Sequence, residues 1–204
     1  NLKGELIVSF SFHVPTNFVF GQGAIQKLHK QRLPGKKALI VISAGKSTRA
    51  NGYLDIVQDE LTQAGVAYAV FDKILANPVL DNVMDGAAFA RAEGCDFVVG
   101  LGGGSSIDAA KAIAMMVPNE GNYWDYIYGG TGGGQRMKNK PLPIVAIPTT
   151  AGTGSEVTAA AVATDAKREL KFPVADLCLV PDAAILDPLL TCALPKSITA
   201  DTGM

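Results

Sequence analysis

The chain is poor in the side chains that do most covalent and metal chemistry. Only two histidines, His13 and His29, occur in its 204 residues. No histidine, cysteine or acidic residues fall at the spacings that hold zinc or a related metal. The three cysteines, Cys95, Cys178 and Cys192, are odd in number and widely separated. That excludes a disulfide framework and a zinc ribbon and suits a reducing compartment. No Ser-His-Asp or Cys-His arrangement has local support. Charge of one sign is missing too: 18 Lys and Arg against 19 Asp and Glu leave a net charge of −1. Nothing therefore draws the whole chain toward nucleic acid or an anionic membrane. No apolar run reaches the roughly 18 residues of a membrane span. The opening residues, with Lys3 and Glu5 ahead of the alternation from Leu6 to Phe12, lack the basic start and long apolar core of a secretion signal. A cytoplasmic location is the expectation.

What remains is an ordered globular composition, 48% hydrophobic and 18% charged, long enough for one or two domains with a substantial core. Residues 5–22 read as two short strands with a turn around Pro15-Thr16-Asn17, and a helix starts between Gly23 and His29. Residues 37–42 are a short apolar run rich in β-branched residues, the profile of a buried parallel strand. Residues 51–64 place Leu54, Val57 and Leu61 on one helical face, and Gly65 supplies a stop. A strand at 67–71, the loop Ala76-Asn77-Pro78, a helix over 81–92, a strand at 96–99 and a helix to about Val117 follow. This alternation predicts a parallel sheet flanked by helices on both faces. Residues 118–141 break it with an aromatic cluster, Tyr123-Trp124-Asp125-Tyr126, and a glycine-rich stretch. A strand at 143–147, a hairpin over 157–174 and a strand near 183–186 complete the pattern.

Two turns carry the chemistry. Residues 100–111 read Gly-Leu-Gly-Gly-Gly-Ser-Ser-Ile-Asp-Ala-Ala-Lys, and residues 148–158 read Pro-Thr-Thr-Ala-Gly-Thr-Gly-Ser-Glu-Val-Thr. Glycines let backbone approach a pyrophosphate, and the following helix offers unpaired N–H groups and a positive dipole end. A plain helix cap, with Ser105 as N-cap and Asp108 three residues on, explains part of the first turn. Three consecutive glycines exceed what a cap needs. The hydroxyls of Thr149, Thr150, Thr153 and Ser155 suit a ribose, a phosphate or an amide, though they also fit an ordinary hydroxyl turn. Adjacent parallel strands would bring both turns to one sheet edge. The first turn is not the G-x-G-x-x-G fingerprint and follows the third strand of the alternation, which argues against an ordinary Rossmann unit. Asp108 reads as a helix-start acid, and Lys111 as lying beside the anion site or on the surface. His13 and His29 read as satisfied or solvated, Met115 and Met116 as core, and Trp124 as either a lid or a packed loop anchor.

Four stretches resemble the iron-dependent (group III) alcohol dehydrogenases, whose fold is dehydroquinate-synthase-like. They are residues 15–24, residues 102–111, residues 147–158, and the pair 187–191 and 200–204. The resemblance implies an α/β domain binding NAD or NADP, over residues 1–196, and the start of a helical metal-binding domain at 197–204. In the family an aspartate ligand to Fe2+ or Zn2+ comes directly after the Thr-Gly-Met segment, and histidines follow later. The chain is thus expected to stop short of the metal ligands and to be inactive alone; Asp201 is out of register and takes no ligand role. By the same resemblance Gly103, Gly104 and Ser105 hold the pyrophosphate. Thr149, Thr150 and Thr153 line the ribose and nicotinamide side. Asn77 contacts the adenosine side, and Lys171 reaches the nicotinamide ribose. Gly45, Lys46 and Ser47 occupy the loop where NAD-preferring members carry an aspartate, so NADP is favoured over NAD. An alcohol or aldehyde substrate and a homo-oligomer, a dimer, are also expected. A glycerol or glycerol-1-phosphate dehydrogenase, a dehydroquinate synthase, or a nucleotide-binding module without chemistry remain as alternatives.

Overall fold

The computed structural model describes residues 13–75, 77–166 and 168–203. Its centre is a six-stranded parallel sheet in the order β1-β8-β5-β4-β2-β3. The strands are β1 (Asn17–Phe20), β2 (Lys37–Ser43), β3 (Ala67–Ile74), β4 (Phe97–Gly102), β5 (Ile144–Pro148) and β8 (Ala183–Leu186). Strands β6 (Ala160–Asp165) and β7 (Leu170–Ala175) form a separate antiparallel hairpin. The helices are α1 (Ser47–Ala50), α2 (Tyr53–Gln63), α3 (Leu80–Glu93), α4 (Gly104–Met116) and α5 (Lys196–Gly203).

The continuous apolar runs of β2, β4 and β5 are buried on both faces because helices cover both sides. Successive side chains of β2 enter different cores. Ala38, Ile40 and Ile42 pack with Leu54, Val57 and Leu61 of α2 and with Ala24, Ile25 and Leu28 of the 3-10 helix Ala24–Lys30. Leu39 and Val41 pack instead with Val83, Ala87 and Ala90 of α3 and Ile113 of α4. The predicted α2 face is therefore the buried one, each side chain contributing roughly 1.5–3 kcal/mol by leaving water. Gly65, at φ 71, ends that helix as expected.

Strand order explains why the glycine turn follows the third strand of the alternation. From β2 the chain steps outward to β3, then returns across β2 to β4, β5 and β8. Taking β2 as first, the order is 2-1-3-4-5, and the connection reverses between β2 and β4. Helices α2 and α4 leave that point on opposite faces, opening a crevice beyond the carboxyl ends of the two strands, where open α/β sheets bind ligands.

Several local expectations change. The first strand expected within residues 5–22 falls largely on residues 1–12, outside the described residues. Asn17 lies in β1 rather than in a turn. The segment after Gly23 is a 3-10 helix, not an α-helix. Ser47 starts the short helix α1 instead of continuing a loop. The hairpin begins at Ala160, because residues 155–157 still belong to the preceding turn. The aromatic cluster around Trp124 is a packed anchor: the Trp124 ring nitrogen donates to Thr131, and the Tyr123 hydroxyl donates to the Ala161 carbonyl. Asn119 secures the return of the loop through bonds to the Lys138 and Asn139 amides.

Candidate cofactor site

Four loops meet the crevice in the order of their strands: the turn after β5, the turn after β4, the segment after β2 and the loop after β3. The first two are in direct contact. The Thr149 amide donates to the Gly102 carbonyl at 2.9 Å. A Cβ on Gly103 would stand 3.1 Å from the Thr150 hydroxyl, and one on Gly104 would stand 3.2 Å from the Ser155 hydroxyl and 3.3 Å from Thr153. Gly102 has φ 143, and a Cβ there would come within 2.6 Å of the Ser106 hydroxyl. The glycine run thus lets the hydroxyl-rich turn lie on the phosphate-type turn with no side chain between them.

The cap is not the expected one. Gly103 is the N-cap of α4, with no side-chain cap, and Ser105 is already inside the helix. The Gly103 carbonyl accepts from the Ser106 and Ile107 amides. The Gly104 and Ser105 amides have no protein partner among the described residues. Two free N–H groups at the positive end of a 13-residue helix are a fitting seat for a pyrophosphate.

The remaining site residues fall around this seat. Gly45, Lys46 and Ser47 are exposed at the carboxyl end of β2, the strand beside β4. Asn77, at φ 58, follows β3, and its side-chain oxygen accepts from Lys171 at 2.9 Å. A cleft of about 300 Å³ opens beside Thr150, Ala151 and Gly152 and is lined on its far side by Phe20, Leu186 and Pro188. Phe20 is 76% exposed there. A larger concavity of about 520 Å³ lies between the start of α3, Trp124 and the hairpin tip. Its lining carries Asp81, Asp125 and Asp165 against one arginine, Arg168, which is paired with Asp165 and stacked on Trp124.

Two residues behave differently from their sequence reading. Lys111 lies neither at the anion seat nor on the surface. It is fully buried, and its ammonium donates to the Thr158 carbonyl at 2.7 Å, the Thr158 hydroxyl at 3.1 Å and the Ala160 carbonyl at 3.0 Å. Burial lowers its pKa to about 8, against the opposing pull of Asp108 and Glu156. Asp108 is more than a helix-start acid: it is half-buried, with Ser155 and the Val162 backbone beside it. Burial raises its pKa, while Lys111, Ser155, the Val162 backbone and Lys171 act against that rise. The signal for both was present, since they are the two charged residues of an otherwise small and apolar helix. His29 is satisfied by Glu60 at 2.6 Å, His13 is exposed, and Met115 and Met116 are core. Among the described residues no group of three or more His, Cys, Asp or Glu stands close enough to hold a metal.

The family model described as iron-containing alcohol dehydrogenase matches residues 15–188. A 1,3-propanediol dehydrogenase of Klebsiella pneumoniae is 39% identical over 197 residues, covering 96% of this chain and 50% of that protein. An NADPH-dependent butanol dehydrogenase of Clostridium saccharobutylicum is 36% identical, covering 95% of this chain and 48% of that one. The crystal structure of NADH-dependent butanol dehydrogenase A from Thermotoga maritima superposes with a TM-score of 0.87 at 35% identity, over 95% of this chain and 48% of that one. The chain spans about half the length of these relatives. The match running from Pro15 to Pro188 places this chain in the iron-containing alcohol dehydrogenase family.

Proposed function

We propose that the chain is the dinucleotide-binding half of an NAD(P)-dependent alcohol dehydrogenase. The observation that carries this reading is the pair of free amides at Gly104 and Ser105 beneath the Thr149–Ser155 turn. In this reading those amides and the helix dipole hold the pyrophosphate. Thr149, Thr150 and Thr153 face the ribose and nicotinamide, while Asn77 and Lys171 close the opposite side. When bound, a nicotinamide dinucleotide supplies a hydride donor or acceptor for the alcohol–aldehyde pair. Gly45, Lys46 and Ser47 offer a cation and a hydroxyl with no carboxylate, which favours NADP over NAD through attraction for a 2′-phosphate. Residues 1–196 form the cofactor domain, and α5 begins a second, helical one.

Polarising the alcohol oxygen is work for a Lewis acid such as Fe2+ or Zn2+. In this reading the ligands of that ion belong to the other half of the enzyme. The exposed Phe18, Phe20 and Leu189 present an apolar margin that favours self-association, in line with a dimeric assembly. A reducing, cytoplasmic setting fits the three free cysteines.

The test is to titrate the purified chain with NADPH and NADH, then assay alcohol oxidation with Fe2+ and Zn2+ added in turn. Saturable binding with negligible turnover is expected. Absence of binding overturns the cofactor reading, and robust turnover overturns the half-site reading.

A further inference from the structure

Helix α4 does two things at once: its first turn forms the anion seat, and its second turn grips the opposite wall. Asp108 and Lys111, three residues apart, are neighbours on one helical face. Lys111 binds Thr158 and Ala160, and Asp108 stands beside Ser155 and Val162. Lys111 thereby holds the segment that leads from the hydroxyl-rich turn into β6. Structural packing alone does not call for an ion there. A buried ammonium is costly, and a helix otherwise lined by Ala, Ile and Met could have packed with a methionine.

We infer that Asp108 and Lys111 form a charge-balanced latch under the phosphate seat, in which the Lys111 ammonium fixes the second turn and neutralises Asp108, so that its protonation sets dinucleotide affinity. Both are positioning residues. The inference rests on the cofactor reading above. The charged groups around the latch are Asp108 on the same helix, Glu156 in the second turn and Lys171 on β7, with the Tyr123 hydroxyl packed near Asp108. Loss of the Lys111 proton leaves the Asp108 charge uncompensated beneath an anionic ligand and weakens the grip on Thr158 and Ala160. An anionic dinucleotide therefore favours the protonated latch. Affinity is full below the Lys111 pKa of about 8 and declines above it.

The experiment measures NADPH and NADH dissociation constants by fluorescence between about pH 7 and about pH 9.5, with folding checked at each point. Affinity of the wild type should fall roughly three- to twentyfold across the range, the size expected for one charge acting through partly screened protein. Lys111→Met should bind weakly and without that pH dependence. Asp108→Asn should move the midpoint to lower pH, because the carboxylate that supports the Lys111 proton is gone. A purely structural lysine would move neither profile. Hydrogen exchange of amides 149–160 gives a second readout, with protection expected to fall in Lys111→Met and, in the wild type, above the same midpoint after correction for intrinsic rates. If the wild type binds neither nucleotide at any pH, the cofactor reading fails, and the exchange profile still decides the latch. If Lys111→Met does not fold, the wild-type and Asp108→Asn profiles decide it. A flat wild-type profile, or a midpoint unmoved in Asp108→Asn, overturns the inference.

Discussion

Lys171 on β7 donates a 2.9 Å hydrogen bond to the side-chain oxygen of Asn77 in the loop after β3. Beside it the Thr164 amide donates to the Pro78 carbonyl at 2.7 Å, so the hairpin is docked on that loop through both backbone and side chains. Asn77 has φ 58, a conformation asparagine tolerates better than most residues. Asn77→Gly keeps the backbone option and loses the acceptor. It should weaken dinucleotide binding about five- to thirtyfold, the worth of a charge-assisted hydrogen bond, with little change in thermal stability. Asn77→Ala should also lower stability, by roughly 1 kcal/mol, because alanine resists positive φ. Calorimetric titration and urea unfolding of the two variants separate these effects.

Gly102 and Gly104 should respond differently to alanine. At Gly102 the backbone has φ 143 and the new methyl would stand 2.6 Å from the Ser106 hydroxyl. Gly102→Ala is therefore expected to cost roughly 1–3 kcal/mol of folding stability. At Gly104 the methyl would press on Thr153 and Ser155 at 3.2–3.3 Å, separating the two turns. Gly104→Ala should leave most of the stability intact and lower dinucleotide affinity at least about tenfold, a loss of about 1.4 kcal/mol. Paired unfolding and binding curves show which variant loses what.

Lys46 is the exposed cation of the segment after β2. Lys46→Ala should weaken NADPH binding roughly three- to tenfold and leave NADH unchanged, since only the former carries a 2′-phosphate. Gly45→Asp should reverse the preference by repelling that phosphate. Equal effects on the two cofactors would show that Lys46 simply faces water.

The cysteines should react in order of exposure and thiolate content. Burial pushes the Cys95 thiol up to about 11, and burial together with Asp176 pushes Cys178 up to about 12. Raised values mean both stay protonated through neutral and mildly alkaline pH, and the thiol form does not alkylate. Cys192 is exposed. Iodoacetamide at about pH 8 should label Cys192 first and leave Cys95 unmodified until the protein unfolds. Mass spectrometry of the digested protein reads this directly.

Much of the architecture was legible because periodicity reports burial. The run at 37–42 is buried on both faces, and the spacing of Leu54, Val57 and Leu61 selects one face of α2. Strand order was not legible, since the crossing of β4 over to the far side of β2 depends on which helix covers which face. The two turns could be located from glycine and hydroxyl content, but their mutual contact could not, because Gly103 meets Thr150 only after β4 and β5 pair. Ser105 read as a cap from local pattern, yet the helix starts at Gly104 because Gly103 already provides the extended entry. Lys111 was misplaced because a lysine is normally solvated; its partners, at Thr158 and Ala160, come from a distant part of the chain.

The pairing of β1 with β8 joins strands far apart in sequence, register for register from Asn17–Ala183 to Phe20–Leu186. During synthesis β1 therefore has no docking partner in this sheet until β8 has emerged. The order of assembly is then dictated by topology: the inner strands and their helices gather first, and the rim is added last, after a long chain closure. Phe18 and Phe20 stay uncovered even after β1 docks, so this rim keeps an apolar margin from the nascent chain through to the folded domain.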